Sequence, residues 1–577
     1  MKRLNHNWLS KGDAFQGVWL PVLIMVAFIS LRCLLNANMG LVNETNILPF
    51  ARQHVNPDWI PRDWYLNQPA GYRVPFIAVF GRMADAWGFL ATSIVGRLLG
   101  YTALSAALLF LSRRIGLSFP LLMLAIALFL YVNTGTSGAS GAQGTVSREW
   151  LFGGIEPKIP AYTCILFAIG MLLEGRLVWA GLLLGVATSF HTLVGGWAFL
   201  TTLGWLVLWR RNLLRDLPQV GLMLLTYAVG AAFAYQPVWQ QLTTDAPPGK
   251  FLPSFVYVFI RTPHHLNPLS WGFGWWIKPL LLLGLLLGSV YGLRWMALQR
   301  PEQELQDQGR SPQHLAQHLA QHLAKHHARM GLAAFALVSL IPFATGLLLA
   351  PVDANGAFLQ YYPFRFGDIM LPLTAWLLAC CALEQACDRW GSRQMLITIC
   401  LVVLSLTCVL QSVTFAQQAI ALEKFPRKAQ RVSTEGKELC QWIRQRTRQD
   451  AIFITSPVEL DNFHWLAERA TVAKFKLVPP TAEGIPEWTT RLSDLSGSVD
   501  PWVDISRTAD NALAIQQRMT QGYERLTTPQ AIALMRKYKA RYFLAEQAPQ
   551  LDLPIAYQNE DYTLYTRPAR KKKLETT

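Results

Sequence analysis

The chain alternates long apolar runs with short polar segments over most of its length. A transmembrane helix needs about 20 apolar residues, and a shorter run suffices where the helix is buried inside a bundle. The pattern therefore predicts about eleven transmembrane helices within the first 416 residues. We place these helices near residues 18–38, 90–112, 118–133, 160–173, 177–190, 193–209, 218–237, 272–293, 330–350, 367–383 and 395–416.

The basic residues between the apolar runs predict the orientation. With the N-terminus in the cytoplasm, each inner loop carries lysine or arginine, as short cytoplasmic loops do. These inner-loop residues are Arg113, Arg114, Arg176, Arg210, Arg211, Arg215, those between Arg294 and Arg329, Arg389 and Arg393. An odd number of spans then places the C-terminal region outside. The first run has a basic leader but no small-residue cleavage pattern after it, so we expect an uncleaved signal anchor.

Composition agrees with a membrane protein and excludes two other classes. Of the 577 residues, 52% are hydrophobic and 15% are charged. The net charge of +16 is spread over short loops, so topology accounts for it and no nucleic-acid partner is indicated. Seven of the eight cysteines lie in or beside apolar runs and no CxxC pair exists, so neither a disulfide framework nor a zinc site is expected.

The residues from 417 to 577 have the composition of a soluble domain of ordinary size. Helix-period segments, such as VELDNFHWLAER at residues 458–469, alternate with short apolar strands, such as AIFIT at residues 451–455 and RYFLAE at 541–546. We predict an α/β domain with a small sheet on the outer side of the membrane. The fold class is thus a mainly α polytopic membrane protein, residues 1–416, followed by this extracytoplasmic domain.

Polar residues gather in the predicted outer loops. The first outer loop, residues 39–89, includes a stretch from 41 to 73 that combines many charges with Trp59, Trp64, Tyr65 and Tyr72, and ends with an interfacial helix at 74–87. The other outer loops are residues 133–160, 236–270 and 350–366. The inner loops hold little comparable, so we expect the chemistry on the outer side.

Glu44 and Glu156 are the candidate catalytic acids. Glu44 follows the first helix, where a carboxylate can act as a general base or help to hold a divalent metal ion. Glu156 lies in GGIEPKIP, where the glycines permit close backbone approach and Lys158 supplies a nearby base. The alternatives are a solvated loop residue for Glu44 and an ion pair with Arg148 or Lys158 for Glu156.

Three other loops supply candidate substrate-binding residues. RTPHHL contributes Arg261, His264 and His265, which can bind a phosphate or relay a proton, or can pair with lipid headgroups. Arg365 enters a helix from outside and either binds an anionic ligand or neutralises Asp368 one turn later. The remaining candidates are Lys158, Arg73 in the first loop and His191, for which a structural role at a helix end is the alternative.

The inner loop near residues 299–325 contains HLAQHLAQHLAKHH. His314, His318 and His322 share one helical face, and histidines spaced four apart can bind a metal. No acidic residue or cysteine accompanies them, so we favour a slippage repeat in a linker.

Several strings across the chain, among them NETNILPFARQHVNPDWIPRDWYLN, EPKIPAY, HTLVGGW, RTPHHL, YYPFRFGD and SPVELDNFHWLAER, resemble a family of bacterial multi-spanning membrane proteins. The overall arrangement resembles the GT-C superfamily of membrane glycosyltransferases. The resemblance implies that Glu44 and Glu156 match the acids of the first and second outer loops. It also implies that Arg365, with His264 or His265, contacts the phosphate of a polyprenyl-phosphate sugar donor. The chain has Asn43–Glu44 where the superfamily shows aspartates, which bears on metal dependence and leaves an acid–base role in place.

The sequence therefore predicts a glycosyltransferase that moves a sugar from a polyprenyl-phosphate donor to an acceptor on the outer face of a bacterial cytoplasmic membrane. Its expected partners are the lipid bilayer and a polyprenyl-phosphate lipid, with a divalent metal ion at Glu44 and Glu156 as the candidate cofactor. The alternative is a non-catalytic transporter or lipid-handling scaffold, which would carry its polar groups in mid-membrane and show internal symmetry. Most other charges of the first loop, including Arg52, Asp58, Arg62 and Asp63, are expected to hold the loop on the membrane surface beside the tryptophans.

Overall fold

The computed structural model describes residues 13–35, 43–132, 143–209, 216–243, 247–299, 312–424 and 433–568. Several stretches lie outside these ranges: residues 133–142 at the start of the second outer loop, Arg210, Arg211 and Arg215, the basic leader, and residues 569–577. The side chains of His314 and His318 are also outside the described part.

Each of the eleven apolar runs is helical over most of the residues that the structure describes. The longer helices of the membrane region are α1 (Asp13–Ser30), α2 (Glu44–Val55), α3 (Arg82–Ile115), α4 (Phe119–Tyr131), α5 (Lys158–Leu173), α6 (Leu177–Phe190), α7 (Thr192–Trp209), α8 (Leu217–Gly230), α9 (Ala232–Thr243), α10 (Ile277–Leu298), α11 (Pro312–Leu349), α12 (Arg365–Arg389) and α13 (Arg393–Lys424). Helix α2 is the amphipathic helix of the first loop, and α8 and α9 are the two halves of one bent apolar run.

Within the described residues, seven helices are long and apolar enough to cross a membrane, and α8 with α9 forms an eighth candidate that bends by 77°. The chain is thus a multi-pass helical membrane protein. The apolar helices α4, α5 and α6 are shorter, between 10 and 17 residues. The number of eleven spans stays a prediction, because these three are below the usual spanning length.

Burial separates the helices at the centre of the bundle from those at its edge. The apolar window of α12 is 78% buried, whereas that of α13 is 17% buried. The short helix α5 packs between α3 and α6. Close approach there depends on small residues, since a Cβ added at Gly100 of α3 would lie 2.8 Å from the Ile159 side chain of α5. Short apolar helices are tolerated because neighbouring helices surround them.

The predicted interfacial helix at residues 74–87 is helical and is set apart from the rest of α3 by one residue. Gly88 has φ 76° and ψ 171°, a left-handed conformation that glycine adopts without steric cost. The helical segment before Gly88 packs against α2. The first outer loop is therefore a folded unit of two helices rather than an extended connection.

The C-terminal α/β domain is confirmed and is built around a five-stranded sheet in the order β2–β1–β3–β5–β4. Strands β1 and β2 pair in parallel, as do β1 and β3, and the two closing strands are antiparallel. The elements are α14 (Thr434–Arg446), β1 (Ile452–Ile454), β2 (Ala470–Thr471), α15 (Ile485–Leu495), α16 (Asn511–Glu524), α17 (Thr528–Lys537), β3 (Tyr542–Ala545), β4 (Ile555–Gln558) and β5 (Thr563–Thr566).

Two elements of this domain differ from the sequence expectation. VELDNFHWLAER, predicted as a helix, forms only one helical turn at Phe463–Leu466, because Leu460 and Glu468 on either side have positive φ. Helix α15 was not predicted from the pattern, although it buries Trp488 and Leu492 in the domain core. The division of the chain near residue 416 stays a prediction.

A buried hydrogen bond attaches the first loop to the C-terminal domain. His464 Nε2 lies 2.7 Å from Asp63 Oδ2, which also accepts the backbone N–H of Thr471 at 2.9 Å. Burial raises the pKa of Asp63, but the interaction with His464 and the N–H groups outweighs burial and holds the pKa below its ordinary value. Asp63 thus binds the domain and does not hold the loop on the membrane surface as we expected.

Glu468 makes a second attachment between the same two regions. Its Oε2 accepts hydrogen bonds from Trp59 Nε1 at 2.8 Å and Arg52 Nη1 at 3.2 Å, while Arg444 lies 3.0 Å from Oε1. Arg52 therefore also contacts the C-terminal domain. Through these two sets of contacts, the first loop holds the C-terminal domain in place next to the helical bundle.

Candidate functional site

A cavity of about 990 Å³ lies where the helical bundle, the first loop and the C-terminal domain meet. The bundle and its loops supply basic and histidine side chains, and the C-terminal domain supplies Asp461, Lys476 and Glu483. The residues that line the cavity therefore come from several separate segments of the sequence.

The cavity brings together nearly all the predicted site residues. Those that line it are Arg73, Glu156, Lys158, His191, Arg261, His264, His265 and Arg365. They come from five separate regions of the chain, between residues 73 and 365. The adjacency of these outer loops, which the charge pattern suggested, is thus present in the fold.

Glu44 is the exception and does not line the cavity, although its neighbour Asn43 does. It is 0% exposed and forms an ion pair with Arg97, which is also 0% exposed. Its carboxylate accepts further hydrogen bonds from Ser93 Oγ at 2.8 Å and from the backbone N–H of Ile155 at 3.0 Å. Every oxygen of Glu44 is therefore engaged inside the protein, which differs from the expectation of a cavity-facing base.

Glu156 has the opposite surroundings. It lines the cavity and is 7% exposed, and its nearest cation is Lys158, 3.5 Å from Oε2. Its Oε1 has no hydrogen-bond partner in the described part of the chain. Buried polar atoms nearly always have a partner, so an unpaired carboxylate oxygen at a cavity wall marks a place where a ligand proton can be accepted.

Glu149 is a site residue that sequence reasoning did not single out. It is 2% exposed and bridges two cations, with Arg365 Nε 2.7 Å from Oε1 and Lys158 Nζ 3.2 Å from Oε2. Burial raises its pKa, but Arg365 and Lys158 outweigh burial and hold the pKa far below its ordinary value. The only sequence signal that could have pointed to Glu149 was its position between Arg148 and Trp150, shortly before Glu156.

The predicted alternative for Arg365, neutralisation by Asp368 on the same helix, is wrong. Arg365 pairs with Glu149 from another loop. Asp368 accepts hydrogen bonds from backbone N–H groups of residues 145–149 instead. Glu149 contacts both Arg365 and Lys158, and Lys158 also lies 3.5 Å from Glu156, so two carboxylates balance these two cations before any ligand binds.

Three other guanidinium groups in the cavity wall lack such a partner. Arg73, Arg148 and Arg261 form no ion pair with a carboxylate among the described residues. Arg148 lies over the ring of Trp275 at 4.3 Å, and Arg261 Nε has no hydrogen-bond partner in the same part of the chain. An arginine side chain stays protonated in proteins, so these groups leave positive charge available to an anion.

The adjacent histidines are buried beside this positive charge. Burial and the nearby Arg261 lower the pKa of His264 to about 4. Burial and His264 lower the pKa of His265 to about 3. Both imidazoles are therefore neutral at neutral pH and act as hydrogen-bonding groups rather than cations. His191 lies beside Tyr72 and within 3.4 Å of Arg365 Nη1.

A divalent metal ion does not fit the residues present. Within the described ranges, no three side chains among histidine, cysteine, aspartate and glutamate are grouped to hold a metal. The two predicted ligands also differ in setting, because Glu44 is held by Arg97 away from the cavity and Glu156 faces it. We therefore derive no step through a metal ion.

The fold and the cavity define a multi-pass helical membrane protein with a partly open cavity between its helical bundle, its first loop and its C-terminal domain. Comparison with known families and structures gives partial matches. The family model described as "Domain of unknown function (DUF6798)" matches residues 434–495, a part of the C-terminal domain. A sequence search of curated proteins gives no match.

Solved structures with a similar course of the chain include ArnT from Cupriavidus metallidurans bound to undecaprenyl phosphate. It is 13% identical, the match covers 97% of this chain and 99% of ArnT, and the TM-score is 0.47. The oligosaccharyltransferase of Archaeoglobus fulgidus, tethered to an acceptor peptide, is 11% identical, with 93% of this chain and 70% of that chain covered and a TM-score of 0.42. At this level of similarity we base the function on the side chains of the cavity.

Proposed function

We propose that the chain is a GT-C-like glycosyltransferase, which transfers a sugar from a polyprenyl-phosphate donor to a hydroxyl acceptor. Reaction and substrate binding take place in the 990 Å³ cavity. The N-terminus lies in the cytoplasm, and the cavity and the C-terminal domain lie on the outer face of a cytoplasmic membrane, as the basic inner loops favour.

The observation that carries the proposal is the pairing state of the charged groups. Among the residues that the structure describes, one carboxylate in the cavity wall, Glu156, has an unpartnered oxygen, and the wall also holds guanidinium groups without carboxylate partners. Sugar transfer from a lipid phosphate needs both kinds of group, since a proton leaves the acceptor while negative charge develops on the leaving phosphate.

In the proposed step the acceptor hydroxyl oxygen bonds to the anomeric carbon of the sugar. The bond between that carbon and the phosphate oxygen breaks, and its electron pair remains on the released polyprenyl phosphate. Glu156 accepts the proton of the hydroxyl group. Attack from the side opposite the phosphate inverts the anomeric configuration.

Arg261, Arg148 and Arg73 stabilise the phosphate in this scheme. The neutral imidazoles of His264 and His265 add hydrogen bonds without adding charge at neutral pH. The sequence suggested Arg365 and Lys158 as substrate-binding residues. In the fold, both side chains instead hold Glu149. We therefore place the proposed phosphate site closer to the loop that contains Arg261 than the sequence suggested.

The test is Glu156→Gln in proteoliposomes supplied with undecaprenyl-phosphate-linked sugars and membrane extract as the acceptor source. Release of undecaprenyl phosphate reports transfer without knowledge of the acceptor. We expect a loss of roughly 10²- to 10⁴-fold, the usual contribution of a general base. The matched control is Glu174→Gln, because Glu174 follows the other end of α5 and pairs with Arg114 and Arg176.

Loss of release in Glu156→Gln with full release in Glu174→Gln supports the role of Glu156. Equal release in all three proteins removes Glu156 from the mechanism. If the wild type binds undecaprenyl phosphate but releases none from any sugar-linked donor, the protein is a lipid-handling scaffold and the glycosyltransferase proposal is wrong.

A further inference from the structure

We propose that Asp368 is a positioning residue, which folds residues 145–149 against the first turn of α12 and thereby sets the geometry of the cavity wall. The inference deepens the proposed function, on which its second readout rests. It concerns the buried carboxylate that lies one helical turn after Arg365 and that does not itself line the cavity.

The carboxylate of Asp368 is surrounded by donors of the loop. Oδ1 accepts the backbone N–H groups of Thr145, Val146 and Ser147 at 2.9, 2.9 and 3.1 Å, and the hydroxyl of Thr145 at 2.5 Å. Oδ2 accepts the N–H of Glu149 at 3.1 Å. Successive backbone N–H groups that converge on one anion form an anion-binding concavity, and here the anion belongs to the protein.

The loop closes on itself around this contact. The N–H groups of Gln143 and Gly144 both donate to the carbonyl of Glu149, at 2.9 and 2.7 Å. A Cβ added at Gly144 would overlap Asp368 Oδ2, so only glycine permits the carboxylate to approach so closely. Two independent positions, Gly144 and Asp368, therefore depend on the same packing.

Residues 147–149 connect this contact to the cavity. Glu149 bridges Arg365 and Lys158, and Arg148, which lines the cavity, places its guanidinium over the ring of Trp275. Ser147 Oγ donates to the carbonyl of His265 at 3.1 Å. Helix α12 thus holds the loop twice, through the backbone at Asp368 and through the side chain of Glu149 at Arg365.

The chemistry of the contact favours an ionised carboxylate over an amide. An ionised aspartate only accepts hydrogen bonds, whereas an asparagine has two donors on one of its side-chain atoms. In Asp368→Asn that amino group would face an N–H donor of the loop, whichever way the amide is turned. Both oxygens of Asp368 accept N–H groups, so at least one loop hydrogen bond is lost without a change in volume.

Hydrogen–deuterium exchange of the full-length protein in detergent measures the contact directly. We expect the peptide that contains residues 143–150 to exchange at least tenfold faster in Asp368→Asn and in Gly144→Ala. Asp353→Asn is the control, because Asp353 accepts the N–H groups of Ala357, Phe358 and Leu359 in a similar way outside the cavity wall. In that variant only residues 353–359 should exchange faster.

Native mass spectrometry with undecaprenyl phosphate supplies the second readout. We expect the affinity to fall at least fivefold in Asp368→Asn and Gly144→Ala and to stay within twofold of the wild type in Asp353→Asn. Unchanged exchange at 143–150 in both variants would overturn the proposed contact. Faster exchange with unchanged affinity would overturn the positioning role.

Failure of the proposed function has a different signature. A wild type that does not bind undecaprenyl phosphate disproves the donor proposal, and the positioning role is then judged on a property of the loop that needs no ligand. Lys158 pairs with Glu149, so a displaced loop should make Lys158 react faster with an amine-modifying reagent in Asp368→Asn than in the wild type. Equal reactivity would overturn the inference.

Discussion

Glu44 and Glu156 occupy similar places in the sequence and opposite places in the fold. Each stands in an outer loop beside a helix end, and both matched acids that the GT-C resemblance implied. Glu44 is surrounded by Arg97, Ser93 and a backbone N–H, whereas Glu156 has one lysine at 3.5 Å and an oxygen with no partner in the described part of the chain.

The comparison shows that, at similar burial, the number of partners decides what a carboxylate can do. Both residues are almost inaccessible, so exposure does not separate them. A carboxylate whose oxygens are all engaged stabilises the fold, while one with an unpaired oxygen at a cavity can accept a proton.

The largest effect should come from Glu44→Ala. It leaves the Arg97 guanidinium buried without a counter-charge, and breaking a buried ion pair in this way costs about 3–5 kcal/mol. We expect a marked fall in the thermal unfolding midpoint of the protein in detergent. The double variant Glu44→Gln with Arg97→Met should recover most of the loss, because no unpaired charge remains buried. A normal unfolding midpoint with abolished sugar transfer in Glu44→Gln would instead return Glu44 to the mechanism.

The second prediction compares two arginines of the cavity wall. Arg365 pairs with Glu149, whereas Arg261 has no carboxylate partner among the described residues. Arg261→Ala should weaken binding of undecaprenyl phosphate by roughly 10- to 100-fold, since a hydrogen bond to a charged group contributes about 1.5–3 kcal/mol. Arg365→Ala should weaken binding less, because Arg365 is already paired with Glu149. Titrations by native mass spectrometry measure both affinities. Equal losses would show that the lipid phosphate displaces Glu149 from Arg365.

The third prediction concerns pH. The folded-state pKa values of about 4 for His264 and about 3 for His265 lie below the ordinary value for histidine. The unfolded state therefore binds more protons as pH falls from about 6.5, and the folded protein loses stability over that window. The unfolding midpoint should fall between pH 7.5 and pH 5, and the slope should flatten in the His264→Asn, His265→Asn double variant. An unchanged slope would contradict the burial of these imidazoles.

The smallest effect should come from Lys250→Ala. Lys250 and Asp500 form an ion pair at 2.9 Å, but both side chains are about half exposed. Exposed pairs contribute about 0–1 kcal/mol, because solvent screens them. The unfolding midpoint should change little and should depend on salt. A loss as large as that of Glu44→Ala would show that pairing matters regardless of burial.

The helical architecture could be predicted from the sequence because membrane insertion depends on a local property, the number of consecutive apolar residues. All eleven apolar runs are helical, and α6 has the predicted bounds of 177–190. The helical turn at Phe463–Leu466 was harder, since Leu460 and Glu468 on either side have positive φ, and the Glu468 side chain is held by Trp59 of the distant first loop. Helix α15 was missed because its apolar face is defined by the domain core.

Part of the candidate site could likewise be predicted from the sequence, and part could not. The pattern of apolar runs and basic loops was enough to indicate which loops carry polar groups and to predict that those loops lie together, and residues from them do line one cavity. Which charges neutralise each other became visible only in the folded chain. Glu149 meets Arg365 across 216 residues of sequence, and Glu44 meets Arg97 across 53. Coulomb interactions and hydrogen bonds act over a few ångströms of space, so the role of each carboxylate follows from its neighbours in the fold.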